Sequence, residues 1–277
     1  MRKLVYAIVI GLVTSLTGPV ATASTPSEDL AAFQQFYVDR FPDTQKEDFI
    51  DGIYSIDPVS KETFDSIEEF APYEIDIEKG EEMYNKPFAN GSGYADCFAE
   101  PGVRHLYPHF DSKSGSIVTL EGAINACRKA AGEKPLKYKK GSMTAITAYM
   151  AYESRGNVFD IKIPDDSRAL DHYNRGKRHF YQKRGQLNLA CADCHMNYSG
   201  NNVRADRLSP ALGHLTHFPV YRAKWGGLGT PHRRFGGCNE QVRAKSFPAQ
   251  GDEYKALEYF LTYMSNGLVA NGPATRK

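Results

Sequence analysis

The 277-residue chain has one tryptophan, five cysteines and a net charge of only +1. It has no second Cys-x-x-Cys pair, and this argues against a structural zinc site, which draws its ligands in pairs of similar spacing. It has no apolar run of membrane-spanning length. The longest, Leu4 to Leu16, falls short of the roughly 20 residues a spanning helix needs. That run has another use. Arg2 and Lys3 precede it and Ala21-Thr22-Ala23 follows as a small-x-small cleavage site, the pattern of a secretory signal peptide over residues 1–23. The mature chain is expected to start near Ser24 and to be a soluble protein outside the cytoplasm, periplasmic if the source is bacterial. That compartment argues against nucleic acid as a partner.

The near-zero charge hides an asymmetry. Ser24 to Ser167 carries 15 Lys and Arg against 26 Asp and Glu, a balance of −11; Arg168 to Lys277 carries 17 against 7, a balance of +10. The basic half suits an anionic substrate or an acidic partner surface. Mutual attraction of the two halves is the other reading.

Within the basic half stands Cys191-Ala192-Asp193-Cys194-His195. A C-x-x-C-H run is the attachment signature of a c-type haem. Two thiols separated by two residues reach the two vinyl groups of one porphyrin, and the histidine follows as proximal iron ligand. A thioredoxin-like motif would want a strand leading in, whereas the residues before Cys191 read as helical.

The remaining pattern is mainly helical. Asp29 to Arg40 and Lys61 to Phe70 read as short helices that wrap the next segment. A helix from Ile77 to Tyr84 is expected with Asp76 as its N-cap. Further helices are expected at Leu120 to Ala131, at Thr144 to Ser154 with an amphipathic pattern and Gly156 as C-cap, at Leu170 to Arg184 closed by Gly185, and at Glu253 to Ser265. Residues 157–167 read as an extended linker. Residues 197–237, rich in Gly, Pro, His and Arg, read as a long functional loop.

Two of these helices repeat. Ala145, Ile146, Tyr149, Met150, Tyr152, Ser154 and Gly156 align with Ala256, Leu257, Phe260, Leu261, Tyr263, Ser265 and Gly267 at an ungapped offset of 111 residues, which Cys127 and Cys238 share. At a smaller offset, Lys79-Gly80 aligns with Arg175-Gly176 and Met83-Tyr84 with His179-Phe180. Cys97 then falls opposite Cys191, but Glu100 and Pro101 stand where Cys194 and His195 would. The expected architecture is two tandem cytochrome-c-like domains, residues 24–160 without haem and residues 161–277 with one.

The haem takes Cys191 and Cys194. In an oxidising compartment Cys97 and Cys127 are expected to pair as a disulfide that replaces the missing haem as a staple. Cys238 is left as a lone thiol. Met196, Met264, His214, His217, His232 and Cys238 are candidates for the sixth iron position. Met196 is too near the motif to cross to the other face, and Met264 has the spacing of a core residue. Cys238 lies between glycines and Asn239, a flexible setting that lets backbone approach a haem face. Arg233, Arg234, Arg243 and Lys245 surround it in sequence and would lower the thiol's pKa. Guanidinium groups also grip tetrahedral oxyanions, and Arg234 lies four residues before the thiol. A solvated basic loop is the alternative.

Arg184 to His195 resembles the haem site of the SoxA family, and so do His232-Arg233-Arg234-Phe235-Gly236-Gly237-Cys238-Asn239, Val242-Arg243-Ala244 and Ser265-Asn266-Gly267-Leu268. The resemblance implies an L-cysteine S-thiosulfotransferase that joins thiosulfate to a cysteine of the carrier SoxYZ and sends electrons through one haem c to the small cytochrome SoxX. It implies that Cys238 is distal haem ligand and sulfur carrier, opposite the proximal His195, and that Arg234 binds substrate. Glu100 and Pro101 depart from the two-haem members, so the one-haem branch is the match. A thiosulfate dehydrogenase forming tetrathionate and a plain electron-transfer cytochrome are the competing readings.

Overall fold

The computed structural model describes residues 24–276; the expected signal peptide, residues 1–23, lies outside them. The described chain is mainly helical. Helix α1, Pro26–Arg40, starts at a reciprocal cap: the Glu28 N–H donates to Thr25 Oγ1 and the Thr25 N–H donates to the Glu28 carboxylate at 2.7 Å, with Pro26 at the first helical position. After a 3-10 stretch at Lys46–Ser55 come α2, Pro58–Glu68, and α3, Glu74–Asn85. A short hairpin follows, β1 His109–Asp111 with β2 Ser116–Val118, then α4, Leu120–Ala130, and α5, Ser142–Glu153. The second half opens with α6, Ser167–Tyr181. A small hairpin follows, β3 Asn202–Val203 with β4 Asp206–Arg207. A three-stranded sheet then sets β5, Val220–Arg222, between antiparallel β6, Gly227–Gly229, and parallel β7, Ala274–Thr275. Helices α7, Pro231–Gln241, and α8, Asp252–Tyr263, complete the fold.

Two helix crossings organise the molecule, and they are built alike. Helix α3 packs on α5 and α6 packs on α8. In each pair a glycine lets the backbones touch. A Cβ at Gly80 would lie 2.1 Å from the Ala145 carbonyl oxygen, and one at Gly176 would lie 2.1 Å from that of Ala256. One core gathers Tyr84, Tyr94, Leu120, Ile124, Met143, Ile146 and Met150 around the first crossing. The other gathers Tyr173, Phe180, Leu257, Phe260, Leu261 and Met264 around the second.

The N-terminal segment joins the second core rather than wrapping the segment that follows it. Phe33 and Tyr37 of α1 are buried there, with the Phe33 ring 6.0 Å from Phe180 and 6.4 Å from Phe260. Charge attraction between the halves contributes: Asp29 pairs with Lys177 at 2.6 Å and Asp57 with Arg207 at 3.7 Å.

Other expectations are corrected locally. Tyr73, not Asp76, is the N-cap of α3, and Asp76 lies in its first turn. Helix α5 is not amphipathic, since Met143 to Ala148, Met150 and Ala151 are all buried; its buried polar members are threonines, and the Thr147 hydroxyl donates to the Met143 carbonyl. Residues 157–167 are not a free linker. Phe159 is fully buried, its N–H donates to the Leu268 carbonyl and its own carbonyl accepts from Gly267. Helix α6 ends at Tyr181, before Gly185. Residues 197–237 hold four strands and the start of α7, so Cys238 sits on a helix and not in a flexible glycine loop.

Candidate haem and sulfur site

The approach to Cys191 is a tight turn rather than a helix. Arg184 and Leu189 pair across it, and Gly185 takes φ +69° at its corner. A Cβ there would come 2.1 Å from the Val242 carbonyl, so only glycine lets this turn rest on the end of α7. The haem motif is thereby fixed to the helix that carries Cys238. The motif itself winds into a wide π turn at Asp193–Asn197, braced where the Asp193 carboxylate accepts the Ala190 N–H at 2.8 Å.

His195 is held from three sides. Its Nδ1–H donates to the Ser209 carbonyl at 2.9 Å, which fixes the tautomer and leaves a lone pair on Nε2, the usual arrangement of a metal-binding imidazole. The Tyr37 hydroxyl donates to the His195 carbonyl at 2.7 Å and accepts the Ala211 N–H at 3.2 Å. Arg40 donates to the Ser199 and Asn197 carbonyls. Helix α1 therefore clamps the turn that presents the histidine, a role the sequence did not signal.

Cys191, Cys194 and Cys238 are unpaired, half-buried thiols, near enough to act on one another electrostatically. Burial, then the neighbouring Cys238 sulfur, push Cys191 up to about 12, and the same two causes raise Cys194. The His195 ring lies near enough to Cys238 to act on its sulfur. Burial alone would raise its pKa too. Arg234, the His195 contact and Arg222 outweigh burial and bring it down to about 7. Two thiols for thioether links, a lone-pair imidazole and a facing thiolate are the donor set that a c-type haem with two axial ligands requires, so the residues present fit that group.

The other sixth-ligand candidates are committed elsewhere. Met264 is core. The Met196 sulfur accepts from the Tyr181 hydroxyl at 3.4 Å. His214 stacks edge-on to His195 at 4.4 Å and contacts Ser209 Oγ at 3.0 Å. His217 stacks on Phe218. The buried His232 lies 3.1 Å from Glu258 and accepts the Gln250 N–H at 2.9 Å.

Arg234 precedes Cys238 by one turn of α7, so the two share a face. Among the described residues no carboxylate lies within ion-pair range of it. Arg233 instead sits over the Trp225 ring at 4.3 Å. Lys245 lies in a separate basic groove of about 500 Å³, with Arg175, Arg178, Lys183 and Arg184. Arg222, not singled out from the sequence, is 9 % exposed and acts on Cys238. No local signal marks it; only the β5–β6 register brings it to α7. The start of α7 could have been read from Thr230-Pro231, a cap residue followed by proline at the first helical position.

Cys97 and Cys127 form a disulfide. Cys127 lies on α4 and Cys238 on α7, each the helix before the last of its half. Residues 79–159, which hold this disulfide but not the Cys191–His195 motif, match the family model "SoxA/TsdA, cytochrome c domain". The chain is 54% identical over 276 residues to the L-cysteine S-thiosulfotransferase subunit SoxA of Allochromatium vinosum, covering 99% of this chain and 98% of that protein. The chain belongs to the SoxA family. The SoxA of Chlorobaculum thiosulfatiphilum is 50% identical, with 96% and 95% covered. The crystal structure of SoxXA from P. pantotrophus matches with a TM-score of 0.68 and 32% identity, over 75% of this chain and 79% of that one. Membership of a SoxA family with a cytochrome c domain implies covalently bound haem c. Among the described residues no helix is long and apolar enough to cross a membrane.

Proposed function

We propose that this chain catalyses the oxidative conjugation of thiosulfate to a cysteine of the carrier protein SoxYZ, as an L-cysteine S-thiosulfotransferase working with the SoxX cytochrome in the periplasm. The facing arrangement of His195 and Cys238, with Arg234 one turn away, is the observation that carries the mechanism. One haem c would be held through thioether links to Cys191 and Cys194, with His195 and Cys238 as the side chains that would ligate its iron. When bound, haem c supplies the acceptor for electrons, which pass on to SoxX. The matched helix crossings and the cytochrome c family match at residues 79–159 support two tandem cytochrome-c-like domains, 24–160 and 161–277, the first stapled by the Cys97–Cys127 disulfide and structural only.

The chemistry at this chain's residues balances as follows. Arg234 binds the thiosulfate dianion by charge-assisted hydrogen bonds and holds its outer sulfur at Cys238. The Cys238 thiolate and that sulfur form an S–S bond, and two electrons leave. The carrier's cysteine thiolate then attacks the outer sulfur, a carrier S–S bond forms, and the Cys238 thiolate departs. A low thiol pKa favours that departure, which gives a use to the environment that brings Cys238 down to about 7. Positioning and charge neutralisation supply the rest.

The test is the mass of the unreduced Cys238 peptide from protein matured in the periplasm. Extra sulfur or a thiosulfate adduct after incubation with thiosulfate is expected. A bare thiol before and after incubation would instead point to a plain electron carrier. Cys238→Ala should keep its haem and lose turnover.

A further inference from the structure

We propose that Arg222 is a second substrate arginine, which together with Arg234 grips the sulfonate end of thiosulfate beside Cys238. The inference rests on the thiosulfate reading of the site and deepens it. Three observations carry it.

The first is an unanswered buried charge. Arg222 is 9 % exposed, its Nε is buried without a hydrogen-bond partner, and among the described residues no carboxylate lies within ion-pair range. A guanidinium in that state carries a desolvation cost that folding alone does not offset. Asp206 and Tyr54 act on it only electrostatically, in lesser degree than Arg234 and Cys238 do. The second is the company it keeps. Arg222 pairs with Gly227 in the β5–β6 hairpin, and β6 ends at Gly229, directly before the helix that carries Arg234 and Cys238; the two guanidinium groups and the Cys238 sulfur lie near enough to act on one another electrostatically. Two like charges around one sulfur repel each other, and the single negative charge of the Cys238 thiolate answers only one of them. Two positive forks match the two negative charges and three terminal oxygens of thiosulfate, and guanidinium is the group that binds such oxyanions bidentately.

The third is the rigidity of the support. Strand β5 is paired on both edges, by β6 and β7. Both Arg222, 5.2 Å from the ring centroid, and Arg233, 4.3 Å from it, rest on the Trp225 indole. A Cβ at Gly229 would come 2.3 Å from the Trp225 ring, so glycine there lets the indole close over β6 at the point where the strand runs into α7. The hairpin and the helix that carries Arg234 and Cys238 therefore form one unit, and Arg222 is positioned before any anion arrives.

The experiment uses the haem-loaded protein in complex with its cytochrome partner. Dissociation constants for thiosulfate, and for sulfate as an inert tetrahedral dianion, are measured calorimetrically at fixed ionic strength for the natural protein, Arg222→Gln and Arg222→Lys. A lost charge-assisted hydrogen bond predicts roughly ten- to a hundredfold weaker binding of both dianions in Arg222→Gln. Partial recovery is expected in Arg222→Lys, with the same haem absorption spectrum and KM raised more than kcat is lowered. Affinity within twofold of the natural protein would overturn the proposal. So would a change confined to the haem spectrum or potential, which would assign Arg222 to a haem carboxylate. If the natural protein binds neither dianion and Cys238 gains no sulfur, the thiosulfate reading itself fails; a natural protein that binds both while Arg222→Gln matches it refutes only the role of Arg222.

Discussion

Adding one methyl group at Gly176 tests the helix crossing beneath the haem motif, and adding one at Gly80 tests its counterpart. In Gly176→Ala the new Cβ would sit 2.1 Å from the Ala256 carbonyl oxygen and 2.7 Å from the Phe260 Cβ; in Gly80→Ala it would sit 2.1 Å from the Ala145 carbonyl and 2.8 Å from the Tyr149 Cβ. Real Cβ contacts are essentially never shorter than 3.0 Å, so each pair must part by at least 3.0 − 2.1 = 0.9 Å. The obstacle is backbone and cannot swing aside. A gap of 0.5–1 Å forfeits roughly a quarter to a half of each dispersion contact along the seam, and overpacking of this kind costs about 1–3 kcal/mol or more. Alanine returns roughly 1 kcal/mol through its helix propensity. A net loss of about 1–2 kcal/mol is expected at each site, read as a lower urea midpoint of the haem-loaded protein. The matching geometry also predicts that the two losses agree within about 1 kcal/mol. A variant as stable as the natural protein would refute the packing argument. A large loss at one site with none at the other would refute the equivalence of the two crossings.

The remaining predictions concern the staple and pH. Replacing Cys97 and Cys127 together by Ser opens a loop with a sequence separation of 30. The chain-entropy relation then gives about 3.5 kcal/mol of lost stability, measurable by urea unfolding, with the haem spectrum unchanged; an altered spectrum would contradict a purely structural first half. His179 gives an acid limb. Burial, then the Arg184 guanidinium, hold it down to about 3 from 6.5. Between those values the unfolded chain binds a proton that the folded protein refuses, so stability falls as pH drops from about 6.5 towards 3, by at most about 5 kcal/mol. His179→Phe should flatten that limb, and an unchanged slope would show that His179 is not its source.

The sequence by itself carries the attachment motif and the repeated helix pattern. Covalent spacing is local, so Cys191-x-x-Cys194-His195 reads as haem attachment without a fold. Helical periodicity is also local, so the offset between Gly80 and Gly176, or between Ala145 and Ala256, is visible before their contact is. Tertiary structure decided what depends on distant packing. The basic residues around Cys238 mark it in the sequence, but Gly236-Gly237 suggests a loop there, whereas Thr230-Pro231 and packing against Tyr254 make a helix. The clamp of Tyr37 on the His195 carbonyl spans 158 residues of sequence, and no pattern at either end announces it. Arg222 is one arginine among many in a basic half. Strand register and the stacking of Trp225 on Gly229 bring it to the sulfur site, and those are properties of the folded chain alone.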